Sequence, residues 1–286
     1  MYLINVDTLK LEWFVNVASC PDYATQSHRW GAAADELTFQ ELETQSEAMK
    51  TKPGYDKLAQ ASRVAQNMDL NWIWIDTCCI DKRSSAELQE AINSMGSTYK
   101  ECAVCLAYLG DVTCIALQDG DGDFFPQKMA VDDEPESIPP QFKPSEWFSR
   151  GWTLQELIAP RNVDFLSRDW IKFGTKRHLC RTLSSITSIP YDCLRSYRAA
   201  GPGYCVAQKM SWAASRQTTR PEDQAYALFG LFGVNLPLLY GEGHKAFRRL
   251  QDIFRTTSDA SILAFDPGRS TNGESLLALS PSRFSR

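Results

Sequence analysis

Four short apolar runs, separated by stretches with helical spacing, constrain the fold of this chain more than any other sequence feature. The runs are rich in the aromatic and β-branched residues that favour strands. They lie at residues 23–27, 72–75, 103–109 and 163–166. Between them, apolar side chains recur at three- and four-residue intervals over residues 54–67 and 88–99, as in amphipathic helices. Strands that alternate with helices form parallel βαβ units, so we predict an α/β fold with a mainly parallel sheet flanked by helices.

Polar side chains follow the ends of these predicted strands, where ligands bind in parallel α/β sheets. Asp76 comes directly after the second strand, and a third polar group opens a short helix predicted at residues 149–158, which stops before Pro160. The first group comprises Ser27, His28, Arg29 and Trp30. We expect the three groups to meet at one edge of the sheet.

Glu156 is the carboxylate that stands out in the third group. It lies four residues after Trp152, so the two side chains share one face of a helix. An aromatic ring beside a carboxylate can hold a flat ligand and stabilise a developing positive charge. Cleavage of a glycosidic bond passes through such a charge. From the spacing alone, a structural glutamate paired with Arg150 or Arg161 is the more common arrangement.

The second part of the chain has the pattern of a helical region. We predict helices at residues 203–215, 221–232 and 245–256, and a flexible tail rich in Ser, Gly and Arg from residue 266 onward. Arg220, Glu222 and Asp223 are expected to form ion pairs at the start of the second of these helices.

The net charge of −5 comes from one acidic segment at residues 119–139, which carries seven acids and one base. The chain therefore has no overall attraction for nucleic acid. Its nine cysteines are an odd number, and no secretion signal precedes the first strand. We expect reduced thiols, a cytoplasmic location and no membrane span, because the longest apolar stretch is too short.

Patterns that bind metal ions are weak in this sequence. Cys102 and Cys105 form a single pair inside an apolar run, which favours core packing. The acidic segment imitates a calcium loop, but Phe124 and Ala130 stand where the loop needs glycine and glutamate. We predict no metal site and interpret residues 119–139 as a solvated insertion.

Four segments together resemble the heterokaryon-incompatibility (HET) domain of filamentous fungi. They are Tyr23–Gly31, Trp74–Met95, Trp147–Pro160, and Arg220–Tyr226 with Leu236–Gly243. The resemblance covers roughly residues 20–265. The chain departs from the family at Gly96, Ser97 and Thr98, where bulkier aromatic or basic residues are usual, and we expect this change to loosen the helix. The acidic segment is also longer than the family leads us to expect.

The resemblance implies an effector of cell death or non-self recognition. Such domains often precede a nucleotide-binding oligomerisation domain, so a receptor of that kind is an expected partner, and the chain is either a stand-alone form or an excised domain. We divide it into an N-terminal segment (1–19), an α/β core (20–175), a helical extension of the same domain (176–265) and the tail (266–286).

The HET domain is itself a distant relative of the Toll/interleukin-1 receptor (TIR) domain, and the strand order here resembles that flavodoxin-like fold. In enzymatic TIR domains a Trp-x-x-x-Glu sequence after the third strand carries the glutamate that cleaves NAD⁺. Trp152 and Glu156 match this spacing. The resemblance thus implies that Glu156 is catalytic and that NAD⁺ is a substrate, with no separate cofactor.

Around Glu156, the same hypothesis assigns substrate binding to the three polar groups. Arg29 or Arg150 would hold phosphate, and Trp30 or Trp152 would stack on a ring of the dinucleotide. Ser27, His28 and Asp76 would complete the site. TIR enzymes commonly act as assemblies, so we expect a homo-oligomer when active.

A non-catalytic signalling module is the alternative. In that case the TIR-like surface only self-associates or docks on a partner. The aromatic residues Trp147, Phe148 and Trp152 would then belong to an interface or to the core.

Overall fold

Seven strands form one mixed sheet in the computed structural model, which describes residues 1–114, 138–196, 203–255, 259–266 and 277–285. The order across the sheet is β2-β1-β4-β3-β5-β6-β7. The strands are β1 (Tyr2–Asn5), β2 (Leu11–Trp13), β3 (Ala24–His28), β4 (Trp72–Ile75), β5 (Val104–Tyr108), β6 (Val163–Leu166) and β7 (Lys172–Thr175).

The four central strands, β3 to β6, are those that the sequence predicted, and they run parallel to one another. The first of them, β3, lies between the second and the third, which gives the order 2-1-3-4 of a doubly wound sheet. The α/β prediction is confirmed. The sheet is mixed rather than mainly parallel, because β1, β2 and β7 add antiparallel edges.

Strands β1 and β2 lie in the segment 1–19, where we predicted no strand. In β1, Leu3 and Ile4 are fully buried, and Ile4 pairs with Ile73 of β4. Strand β2 is three residues long and its Trp13 is exposed. The segment therefore extends the sheet, but its strands are too short for a periodic signal.

Ten α-helices accompany the sheet in the described residues. Ser84 begins the longest of them by accepting a hydrogen bond from the Glu87 backbone N–H, a typical N-cap. The helices are α1 (Phe39–Glu43), α2 (Pro53–Gln66), α3 (Ser85–Glu101), α4 (Thr153–Ile158), α5 (Cys180–Thr187), α6 (Tyr191–Ser196), α7 (Val206–Ala213), α8 (Asp223–Tyr226), α9 (Phe229–Phe232) and α10 (Lys245–Arg255).

Two predicted helices differ from the structure. The helix expected at 149–158 begins only at Thr153, because Arg150 is extended and pairs with Gln217. The helix expected at 221–232 is divided into α8 and α9. At the division, the Leu228 N–H bonds to the Ala225 carbonyl three residues back, which tightens the turn.

The helical part shares one apolar core with the sheet. Part of the predicted flexible tail is fixed as well. Residues Leu277, Ala278 and Phe284 are buried, and the Gln251 amide both donates to and accepts from the Ala278 backbone, at 2.7 and 2.9 Å. The expectation of a flexible tail is therefore wrong for residues 277–285.

The acidic segment 119–139 lies outside the described residues, apart from its last two positions. None of the nine cysteines forms a disulfide bond in the described residues. Within the described ranges, no helix combines the length and the apolar character needed to cross a membrane.

Candidate functional site

A cavity of about 310 Å³ opens where β3 and β4 end. Its volume is at the small end of the range for ligand pockets. It brings together six of the eight residues that the sequence predicted for the site. These are His28, Trp30, Asp76, Arg150, Trp152 and Glu156.

Glu156 sits in the wall of this cavity on α4 and is only 4% exposed. Its carboxylate accepts a 2.5 Å hydrogen bond from the Ser27 hydroxyl at the end of β3. The Trp147 indole N–H in turn donates to the Ser27 oxygen at 2.8 Å. These two hydrogen bonds fix the orientation of the Glu156 carboxylate. Ser27 itself does not line the cavity, so it positions Glu156 without facing a ligand.

The environment of Glu156 favours its protonated form. Burial, assisted by the negative charge of Asp76, raises the pKa of the Glu156 carboxyl to about 8. The Ser27 hydrogen bond and the Arg216 and Arg150 charges act in the opposite direction but are weaker. Among the described residues, Glu156 forms no ion pair with Arg150 or Arg161, and the charges of Arg216 and Arg150 act on it without a direct contact within 4 Å.

His28 also lines the cavity, and Glu36 holds its ring in place. Its Nε2 is 3.4 Å from the Glu36 carboxylate, which also receives the Lys57 ammonium at 2.7 Å. Burial raises the pKa of Glu36, but these hydrogen bonds outweigh burial and hold the pKa at about 2. The other ring nitrogen, Nδ1, is buried without a hydrogen-bond partner. His28 therefore presents an unsatisfied nitrogen beside the cavity.

Trp30 and Asp76 form a second pair. The Trp30 indole N–H donates to Asp76 Oδ2 at 3.0 Å, and the Lys82 ammonium lies 4.0 Å from the centre of the Trp30 ring. Asp76 Oδ1 is buried and unpaired. A buried carboxylate oxygen and a buried imidazole nitrogen without partners indicate a site that a polar ligand completes.

Of the two predicted phosphate-binding arginines, only Arg150 lines the cavity. Its guanidinium also donates to the Thr219 hydroxyl at 3.4 Å. Arg29 is exposed and forms an ion pair with Glu146 outside the cavity. Successive residues of an extended chain point to alternate sides, so Arg29 faces away from the cavity that His28 and Trp30 line.

Several residues of the cavity wall were not predicted from the sequence, and four of them carry a charge or a phenol group. Lys82 follows β4, and the others belong to the helical part: Arg220, Asp223 and Tyr240. The Tyr240 hydroxyl donates to Asp223 at 3.0 Å, and the Arg220 guanidinium lies 4.4 Å from the centre of the Tyr240 ring. Burial raises the pKa of Asp223. Arg220 and Asp223 thus line the cavity, but in the described residues they do not form the ion pair that we expected at the helix start.

The loop that carries Tyr240 is held by Glu222. One Glu222 oxygen accepts from the backbone N–H groups of Gly241 and Gly243, at 2.8 and 2.9 Å. Both glycines have a positive φ, which side chains rarely adopt. Glu242 does not line the cavity and binds Arg249 instead: Nε donates to its two oxygens at 3.1 and 3.0 Å, and Nη2 donates to Oε1 at 2.5 Å. The sequence signal was the Gly241-Glu242-Gly243 pattern, whose role was obscure without the fold.

Acidic and basic side chains line the cavity in equal number. The acids are Asp76, Glu156 and Asp223, and the bases are Lys82, Arg150 and Arg220. Such a lining suits a ligand that carries both positive and negative charge. In the described residues, no group of three or more His, Cys, Asp or Glu side chains is arranged to hold a metal ion.

Comparison with known protein families identifies the family of this chain. The family described as Heterokaryon incompatibility protein (HET) matches residues 23–156, which include β3, β4 and β5 and reach Glu156 in α4. The chain therefore belongs to the heterokaryon-incompatibility domain proteins.

A particular relative is the vegetative incompatibility protein HET-E-1 of Podospora anserina. It is 42% identical over 233 residues, which are 81% of this chain and 16% of the relative. The chain thus spans about one-sixth of the length of that protein. No solved structure matches the chain.

Proposed function

We propose that this HET domain is a cell-death effector of non-self recognition that cleaves NAD⁺ at the bond between nicotinamide and ribose. The observation that carries the proposal is Glu156, a buried carboxyl in the wall of a cavity at the carboxyl ends of β3 and β4. A Trp-x-x-x-Glu spacing in this place resembles that of enzymatic TIR domains. The Podospora relative is named a vegetative incompatibility protein, which supports the proposed biological role.

NAD⁺ fits the charges of the cavity. Its nicotinamide ring is positive and its diphosphate is negative, and the wall offers acids and bases in equal number. The cavity of about 310 Å³ takes the nicotinamide riboside end, beside Glu156 and Asp76. Arg150 and Arg220 are the basic groups for the diphosphate, because a guanidinium binds phosphate with two parallel hydrogen bonds.

The chemistry requires little from the protein. The bond between C1′ of ribose and the ring nitrogen breaks, its electron pair goes to nicotinamide, and the neutral molecule leaves without a proton. The positive charge that develops on the ribose is stabilised by Glu156. Water then attacks C1′ and loses a proton, which gives ADP-ribose.

Glu156 must be ionised to stabilise that charge, although its pKa of about 8 keeps the free carboxyl protonated at neutral pH. A positive nicotinamide ring beside the carboxyl favours the ionised form. Binding of NAD⁺ therefore lowers the pKa of Glu156 and produces the charge where it is needed. Ser27 and Trp147 stay hydrogen-bonded to it and keep it in place.

Nicotinamide release from NAD⁺ tests the proposal. Wild type, Glu156→Gln and Glu90→Gln are compared, each fused to an oligomerising tag because the active form is expected to be a homo-oligomer. Glu90 is an exposed glutamate of α3 and serves as the matched control. We expect the release rate to fall by at least 100-fold in Glu156→Gln and to be unchanged in Glu90→Gln, since a lost transition-state charge contact costs about 10²–10³-fold. Equal rates in wild type and Glu156→Gln refute the proposal.

A signalling module without catalysis would place the aromatic residues in an interface or in the core, so their positions are compatible with both functions. Trp147 and Phe148 are buried in the core, and Trp152 lines the cavity. Cell death that persists in Glu156→Ala without loss of cellular NAD⁺ would favour that alternative. Partners of the active form, including a nucleotide-binding oligomerisation receptor, belong to the same proposal.

A further inference from the structure

A second cavity, of about 360 Å³, lies between α3, α4 and α9. It contacts α4 on a different face from the first cavity. Gln155, Ile158 and Ala159 line it at three- and four-residue spacing, whereas Trp152, Thr153 and Glu156 line the first. The two cavities therefore share one short helix.

Gln155 is the unusual residue of this second cavity. Its side chain is 2% exposed, and neither its amide nitrogen nor its amide oxygen has a hydrogen-bond partner. Burying an unpaired amide lowers stability, and an apolar side chain of the same size would avoid that cost. A buried polar side chain without partners beside a cavity is a group that a ligand can satisfy.

Asn93 shows the contrast within the same cavity. Its amide nitrogen donates to the carbonyls of Leu236 and Gln89, at 3.1 and 2.9 Å, and its oxygen accepts from the Leu236 N–H at 3.0 Å. Asn93 is thus fully occupied in joining α3 to the loop after α9. Its amide is structural, and that of Gln155 is not.

Space for the Gln155 amide is created by glycine. A Cβ at Gly230 would lie 2.7 Å from the Gln155 oxygen and 2.6 Å from Gly96 Cα. The amide therefore lies against the backbone of α9, which also forms the cavity wall. Since the amide has no hydrogen bond, it can turn into the cavity without breaking one.

We propose that the second cavity binds a planar aromatic carboxamide. The amide edge of the ligand would pair with the Gln155 amide through two N–H to O hydrogen bonds, and its ring would pack on Phe229 and Ile158. The choice of nicotinamide as the physiological ligand rests on the proposed function, which releases it. Binding next to Glu156 on α4 makes this cavity a place for feedback by the product.

Isothermal titration with nicotinamide, in the absence of NAD⁺, tests the site in wild type, Gln155→Met and Glu156→Gln. We expect the Kd to be similar in wild type and Glu156→Gln and roughly tenfold weaker or worse in Gln155→Met, as two lost hydrogen bonds imply. Nicotinate, which lacks the N–H donors, should not bind. No binding of nicotinamide to wild type, or unchanged binding in Gln155→Met, overturns the inference, as does loss of binding in Glu156→Gln, which would place nicotinamide in the first cavity.

Thermal unfolding of the variants and the NMR signal of the Gln155 side chain distinguish lost binding from a folding defect. Gln155→Met should keep or raise the melting temperature, whereas Asn93→Leu should lower it by several degrees. In the wild-type protein, the side-chain NH₂ resonance of Gln155 should move when nicotinamide is added, and a resonance that stays fixed contradicts the inference. If nicotinamide does not bind near Gln155, the release of nicotinamide from NAD⁺ by wild type is unaffected, and only this inference fails. If Glu156→Gln releases nicotinamide as fast as wild type, the proposed function fails, but binding of nicotinamide near Gln155 is unaffected.

Discussion

At the scale of single residues, the buried carboxyl of Glu156 links the site to stability. An ordinary glutamate has a pKa near 4.5, and burial raises that of Glu156 to about 8. Between these two values the folded protein keeps a proton that the unfolded chain has lost. Folding is therefore favoured at low pH, and this contribution is lost as the pH rises toward 8.

This pKa shift predicts that Glu156→Gln is more stable than wild type at pH 8. The glutamine cannot ionise, so its variant avoids a loss in the free energy of unfolding of up to about 1.4 kcal/mol per pH unit between pH 4.5 and about pH 8. Urea unfolding of both proteins at pH 5, 6, 7 and 8 measures the difference, in which the other titrating groups cancel. The gap should widen steadily from pH 5 to pH 8, and parallel stability curves would contradict the shifted pKa.

The sequence predicted the residues that follow a strand, and missed those brought in by distant packing. His28 and Asp76 could be placed because the carboxyl ends of parallel strands meet at one edge. Asp223 and Tyr240 reach the same cavity from the helical part, and no local pattern encodes a contact across that distance. Arg29 was misplaced because residue order does not say which side of the chain faces the cavity.

At the scale of elements, α3 and α9 approach each other unusually closely. A Cβ at Gly96 would lie 2.5 Å from Gly230 Cα, which is a backbone atom that cannot move aside. Helix α3 runs without a break from Ser85 to Glu101, so the expected loosening at Gly96 is wrong. The helical period predicted α3 itself, but it could not reveal that a glycine in its middle is required by a partner about 130 residues away.

The close approach of α3 and α9 predicts that replacing Gly96 with alanine lowers the free energy of unfolding. In a free helix, Gly96→Ala would stabilise by about 1 kcal/mol through helix propensity. At this crossing the added methyl group must push α3 and α9 apart, and we expect a net loss of about 1–3 kcal/mol. Chemical denaturation measures the change, with the exposed neighbour Ser97→Ala as the control that should be neutral or slightly stabilising. A stabilising Gly96→Ala would show that the crossing can relax.

At the scale of the whole molecule, the first cavity is formed by both parts of the chain. The HET family match ends at Glu156, yet Arg220, Asp223 and Tyr240 close the cavity on its other side. The division that we predicted after residue 175 therefore separates two halves of one site. Glu222 connects them, because it fixes the turn that presents Tyr240 to the cavity.

Loosening that turn should weaken substrate binding more than chemistry. In Glu222→Ala, the N–H groups of Gly241 and Gly243 lose their acceptor, so Tyr240 is no longer held over Asp223 and Arg220. For the proposed NAD⁺ cleavage, we expect the KM to rise several-fold while kcat changes by less than about twofold, since Glu156 and its Ser27 partner are untouched. Steady-state kinetics of the oligomerised protein measures both constants. Tyr240→Phe, which keeps the ring and loses only the hydroxyl, should show a smaller rise in KM. A fall in kcat at constant KM would mean instead that the helical part acts directly on the bond being broken.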